Sequence, residues 1–86
     1  MADLDHSAYP NPATSSVSIA LSTQSTMETR IEIYDVAGRI VSVPLDGPLG
    51  VGTHVIGVDL SGLASGIYFY RISRGDHKSF GRFAVM

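Results

Sequence analysis

The chain has 86 residues, a formal charge of −2, 44% hydrophobic and 16% charged residues, and no cysteine. That length suits one small domain, which buries only about 60% of the surface its unfolded chain exposes, and so apolar a chain is not a disordered tail. The acidic balance, with a pI near 5.8, argues against general nucleic-acid or anionic-membrane binding, which needs clustered Lys and Arg. The missing cysteine excludes disulfides and thiolate metal sites, and no apolar run approaches the roughly 20 residues of a membrane helix.

The start, Met1-Ala2-Asp3-Leu4-Asp5-His6, is acidic where a secretory signal peptide is basic. It fits a cytosolic chain or one whose natural sequence continues upstream, and the polar, linker-like character of Met1 to Ala8 suits the second. Asp3, Asp5 and His6 are poor cation ligands, because ordering a chain end opposes binding and hard cations want about six oxygens. In Tyr9-Pro10-Asn11-Pro12-Ala13 two prolines impose an extended or turned lead into the domain. The sequence therefore divides into a linker, residues 1–8, and a domain, residues 9–86, in which pairing around Tyr9 to Ala13 would add a strand to those that follow.

Val17, Ile19 and Leu21 alternate with Ser16, Ser18, Ala20 and Ser22, a period of two that predicts a half-buried strand. Ser22 to Thr26 is a polar loop. Thr29, Ile31 and Ile33 then alternate with Arg30, Glu32 and Tyr34, predicting a strand with one solvated face. Asp35 to Gly38 is a tight turn, with Asp35 bonding the backbone ahead and Gly38 free to take positive φ. Ile40 to Leu45 is a third strand, with Pro44 near an edge or an end because it lacks an N–H.

Asp46 to Gly52 is a Gly/Pro loop, without the G-x-G-x-x-G spacing or the following helix of a phosphate site. His54 to Leu60 is a fourth strand, with His54, Ile56, Val58 and Leu60 on one side. Gly66 to Ser73 is a fifth, with Tyr68, Tyr70 and Ile72 toward the core and Ile67, Phe69 and Arg71 on the other face. Lys78 to Val85 is a sixth. There Phe83 and Val85 alternate inward while Phe80 falls in the opposite register, which predicts a bulge or a late start. Six or seven short strands without a helical pattern predict an all-β, antiparallel β-sandwich. Tyr68, two residues after Gly66, fits the tyrosine corner of immunoglobulin-like domains.

The three histidines, His6, His54 and His77, belong to no nucleophile motif, and no nucleophile, base and orienting group converge in so short a chain. No enzyme activity or cofactor is expected. Asp59-Leu60-Ser61-Gly62 is a turn rather than a set of oxygen ligands. Arg74-Gly75-Asp76 spells an integrin-binding tripeptide, yet Gly75-Asp76 is also what a tight hairpin turn prefers.

Tyr9-Pro10-Asn11-Pro12-Ala13, the strand and turn from Ile31 to Arg39, and Leu63-Ala64-Ser65-Gly66-Ile67-Tyr68 together resemble the C-terminal sorting domain of the type IX secretion system. The resemblance runs from Tyr9 to Met86. The ending Lys78-Ser79-Phe80-Gly81-Arg82-Phe83-Ala84-Val85-Met86 is similar to the family's terminal segment, although Met86 stands where many members end in Lys or Arg. The resemblance implies a sorting signal, not a catalyst, carried at the end of a passenger protein. It implies transit of the periplasm, an outer-membrane translocon as partner, and in many members a sortase-like protease that cuts before the domain, here within Met1 to Ala8 or upstream. The destination is the cell surface or medium.

Pro10, Asn11, Pro12, Asp35, Gly38, Gly66 and Tyr68 are the structural motif positions under this resemblance, and Lys78, Arg82, Phe83, Val85 and Met86 the expected translocon contacts. An accessible last strand would offer backbone groups to such a partner, with Lys78 and Arg82 adding charge. The alternative is an accessory spacer or carbohydrate-binding module, for which Tyr34, Phe69 and Phe80 would form the aromatic platform.

Overall fold

The period-two segments fold as strands. The computed structural model describes residues 5–86. Its strands are β1 (Asp5–Tyr9), β2 (Ser16–Thr23), β3 (Met27–Tyr34), β4 (Ile40–Leu49), β5 (Gly52–Asp59), β6 (Gly66–Arg74) and β7 (His77–Val85). One antiparallel sheet has the order β1-β2-β5 and the other β4-β3-β6-β7. This is the expected immunoglobulin-like sandwich, except that the fourth strand pairs with the third instead of joining the first sheet as in the constant-type arrangement.

Three expectations need correction. The linker predicted over residues 1–8 is strand where it is described: Asp5 to Tyr9 pair rung by rung with Ser22 to Ser18, and residues 1–4 lie outside the described residues. The seventh strand thus starts earlier than Tyr9. Its polar composition concealed it, because an edge strand with one wet face needs few apolar side chains; here Ala8 is the partly buried apolar residue that the strand packs against the core, beside His6. The Gly/Pro loop predicted from Asp46 is strand as far as Leu49. β4 is an edge strand, so Pro44 and Pro48 remove no ladder donor that the sheet needs, and buried Leu49 anchors its end.

The third correction concerns the last strand. β6 and β7 pair without interruption from Arg74↔His77 to Gly66↔Val85, so no bulge or late start occurs, and Phe80 simply faces outward. Register shifts fall instead in the β3–β4 ladder, between Ile31 and Tyr34.

Inward residues of both sheets form one core: Val17, Ile19 and Leu21 of β2, Ile31 and Ile33 of β3, Val58 of β5, Tyr68, Tyr70 and Ile72 of β6, and Phe83 and Val85 of β7. Gly81 occupies an inward position of β7 directly opposite Tyr70. The Tyr70 ring lies over it so closely that an added Cβ would sit 2.2 Å from Cζ. The missing side chain lets Tyr70 cross its neighbour and reach β1, where its hydroxyl meets His6 Nδ1 at 2.7 Å and the two rings stand edge to face at 5.4 Å. A glycine on β7 therefore lets β6 touch the opposite sheet.

Gly81→Ala is expected to displace Tyr70 and destabilise the domain by about 1–3 kcal/mol, read as a lower urea midpoint. An unchanged midpoint would show that Tyr70 does not depend on the space above Gly81.

Candidate functional site

The start of β6 is held by two residues of the sequence motif. Gly66 opens the strand at φ 151° opposite Val85. Tyr68 donates its hydroxyl to the Ala64 carbonyl at 2.7 Å, the expected tyrosine corner, and its ring stacks on Phe83 at 6.1 Å. The loop before β6 is thereby tied to the last strand near its carboxyl end. At the turn between β3 and β4, Asp35 Oδ1 accepts the Ala37 and Arg39 N–H groups at 2.9 and 3.0 Å, while Gly38 takes φ 82°. The Arg39 backbone bond, with its side chain adding to it, holds the Asp35 carboxyl below the usual carboxylate range. These four residues shape the domain.

The Pro-Asn-Pro segment acts directly on the last strand. Ala13 forms a parallel bridge with Val85. Its N–H donates to Ala84 O at 2.8 Å, and its carbonyl accepts from Met86 N–H at 2.9 Å. Asn11 Oδ1 takes the Ala84 N–H at 3.0 Å. Pro10 and Pro12 flank that contact and remain exposed. The outer edge of β7 is thus capped at Ala84 to Met86. Because outward-pointing backbone groups recur every second residue in an antiparallel ladder, the remaining outward rungs are Lys78, Phe80 and Arg82. Among the described residues no backbone partner bonds them on that side.

The same alternation divides the five expected recognition residues. Lys78, Arg82 and Met86 are exposed. Phe83 and Val85 are buried in the core, so the folded domain withholds both from any partner; their expected contact role is corrected to a packing role. Sequence reasoning omitted from that set three neighbours on the outer face: Phe80, 67% exposed, Ile67, 44%, and Phe69, 40%. Across the ladder Phe69 stands opposite Arg82, and Phe80 opposite Arg71. The signal for them was present in the parity of β6 and β7.

Next to this apolar strip lies a buried carboxylate. Glu32 Oε1 accepts the Tyr34 hydroxyl at 2.6 Å and Arg71 Nε at 2.9 Å, with Arg71 Nη2 also donating to it; Oε2 accepts Arg30 Nε at 2.8 Å. The Tyr34 bond first, then Arg30, hold its pKa down to about 2 despite its burial. Arg71 also lies 5.5 Å from the Tyr34 ring centroid, and Arg30 pairs with Asp46 at 2.6 Å. Arg30 and Arg71 are therefore committed to acids. Lys78 and Arg82 form no ion pair among the described residues, so they are the cations of this face left without an acidic partner. Tyr34, pinned by Glu32, is no free platform residue, which reduces the three aromatics expected for sugar binding to Phe69 and Phe80.

The tripeptide Arg74-Gly75-Asp76 is hairpin chemistry. Arg74 is 5% exposed and donates to Thr29 Oγ1 at 2.6 Å and Ser25 O at 2.5 Å, while Gly75 takes φ 57° at the first turn position. Its guanidinium is not presented to an adhesion receptor. His6 is engaged by Tyr70, and no cluster of three metal-ligating side chains occurs among the described residues.

The family described as the secretion system C-terminal sorting domain matches residues 7–86. The chain belongs to this family. The sorting domain is a secretion and sorting signal of the type IX secretion system, and its role is export to the cell surface or extracellular space. Two solved structures from Porphyromonas gingivalis share its fold. One is dimeric latent PorU, with a TM-score of 0.73 and 22% identity over 96% of this chain and 9% of that one. The other is PorZ, described as an essential surface component of the type-IX secretion system, with a TM-score of 0.68 and 22% identity over 94% and 11%. The sorting domain spans about a tenth of the length of these chains. No curated protein matches it.

Glu32→Gln is expected to lose up to about 3 kcal/mol near neutral pH, because the folded-state pKa of about 2 lies below the unfolded value near 4.5. The carboxylate's contribution is complete above the unfolded pKa and disappears as pH falls through the folded one, so the gap between variant and parent should close between about pH 4.5 and 2. Denaturation at several pH values checks this; a gap that widens on acidification would contradict it. Asn11→Ala should speed amide exchange at Ala84 by roughly tenfold through loss of one hydrogen bond, and unaltered protection there would show that Asn11 does not cap β7.

Proposed function

We propose that the sorting domain follows an N-terminal passenger through the periplasm and is read, folded, by the type IX outer-membrane translocon. The passenger then reaches the cell surface or the medium. The domain itself catalyses nothing and carries no cofactor. The observation that supports this reading most directly is the division of β7: Phe83 and Val85 lock the strand into the core, while Lys78, Phe80 and Arg82 present their side chains to solvent. A rigid strand displaying charge and apolar surface is a suitable label for a protein receptor.

A sortase-like protease would act before Asp5. Peptide bonds from Asp5 to Tyr9 are held in the β1–β2 ladder, and a protease needs extended, accessible chain. Exposure of Phe69 and Phe80 favours a second reading, an accessory sugar-binding module. Retention of the domain on a glycan array, lost on Phe80→Ala, would support it.

Deleting Lys78 to Met86 is a poor test. It removes the buried Phe83 and Val85 side chains, worth roughly 3–6 kcal/mol together, against a total stability of roughly 5–15 kcal/mol, and so confuses recognition with unfolding. Lys78→Glu with Arg82→Glu changes only exposed side chains. A reporter ending in this double variant is expected to accumulate in the periplasm while the purified variant keeps its thermal midpoint. Export at the parental level would refute the assignment of recognition to these two cations.

A further inference from the structure

Lys78, Phe80 and Arg82 carry two properties at once. Their side chains share the outer face of the sheet, since they alternate with the inward Phe83 and Val85. Their backbone groups also point off the sheet edge, since they alternate in step with Ala84, whose N–H and C=O are already engaged from that side by Asn11 and Ala13. The cap ends where these three rungs begin. A strand laid beside them would continue the sheet, and its side chains on the outer face would stand next to a cation, an aromatic ring and a second cation.

We infer that this edge of β7 receives an extended partner segment carrying acidic, apolar and acidic residues at alternate positions, added as a strand beside Lys78, Phe80 and Arg82. The inference rests on reading β7 as the recognition strand and names the chemistry of what it recognises. Charge selects this occupant. Glu32, the buried acid on the same face, is already bonded by Arg30 and Arg71, whereas Lys78 and Arg82 have no acidic partner among the described residues.

A second copy of the chain is disfavoured by the same arrangement. The two-fold antiparallel pairing that uses all three rungs is centred on Phe80, and it places Lys78 of each copy opposite Arg82 of the other. Like charges directly across a ladder are destabilising, and cationic edge residues are a common guard against self-pairing. An acidic strand converts both repulsions into attractions. Phe80, 67% exposed, gains an apolar neighbour in the same step.

The test uses the whole 86-residue chain and capped peptides in which Glu, Phe and Glu alternate with Thr. The acidic peptide is expected to shift the backbone amides of Lys78, Phe80 and Arg82 in NMR spectra and slow their hydrogen exchange. It should bind about tenfold more tightly than the same peptide with Lys in place of Glu, with the difference shrinking as salt is raised. The Lys78→Glu, Arg82→Glu double variant should reverse the preference, which also shows that it is folded. Equal binding of the two peptides, undiminished binding of a peptide N-methylated along its pairing edge, or dimerisation of the chain through these rungs would each overturn the inference.

Export of the reporter separates this from the broader reading. Export lost in the double variant without any peptide preference overturns strand addition and leaves recognition by β7 standing. Preference reversed with export intact supports the acidic-strand site and overturns its use in sorting.

Discussion

The β6–β7 ladder decides which side chains of the final strand belong to the interior and which to the surface. Its register is continuous from the hairpin at Gly75-Asp76 to Gly66↔Val85, so the parity of every residue follows from one turn. A slip by a single rung would bury Arg82 and expose Phe83. Two fixed points oppose that slip: Tyr68 stacked on Phe83, and Tyr70 lying over Gly81. Both would be lost together in any other register. The outer face with its cations and exposed aromatics exists because the inner face is so strictly packed.

The rest of the domain is arranged around that ladder. Glu32 ties β3 to β6 through Arg71 on the outside, while Ile31, Ile33 and Ile72 join the same strands on the inside. Arg74 closes the far end of β6 onto Thr29 and Ser25. Across the core, Tyr70 and His6 connect the two sheets. Arg30, Glu32, Arg71 and Arg74 are therefore spent on structure, whereas Lys78 and Arg82 of β7 are left for a partner. That distribution explains how a domain with a slightly negative total charge can show a positive strip.

Much of this was readable in the chain. The strict alternation of Val17, Ile19 and Leu21, of Ile31 and Ile33, and of Tyr68, Tyr70 and Ile72 identified three core strands and their faces. The tyrosine corner and the Asp35 turn followed from local spacing and appear with the bonds their residue types favour. β1 was not readable, because Asp5-His6-Ser7-Ala8-Tyr9 has no periodic apolar pattern and is strand by virtue of its neighbour β2. Nor was the role of Phe80. Its odd parity relative to Phe83 suggested an irregular backbone, when the backbone was regular and the side chain was outside. The function of Gly81 was equally hidden, since only the tertiary path of the Tyr70 ring reveals why a side chain is excluded there. Nothing in composition indicated that Asn11 and Ala13 reach residues more than seventy positions away.

That long-range cap also has a mechanical meaning. Ala13 runs parallel to Val85, so tension arriving at Ala13 from the amino side and at Met86 from the carboxyl side acts along the two segments in opposite directions. The Ala13–Ala84, Met86–Ala13 and Ala84–Asn11 bonds then share the load in shear and give way together, instead of unzipping in sequence. Ala13 is thus fastened along the last strand by bonds that resist sliding, while the outward backbone groups of Lys78, Phe80 and Arg82 remain open from the side.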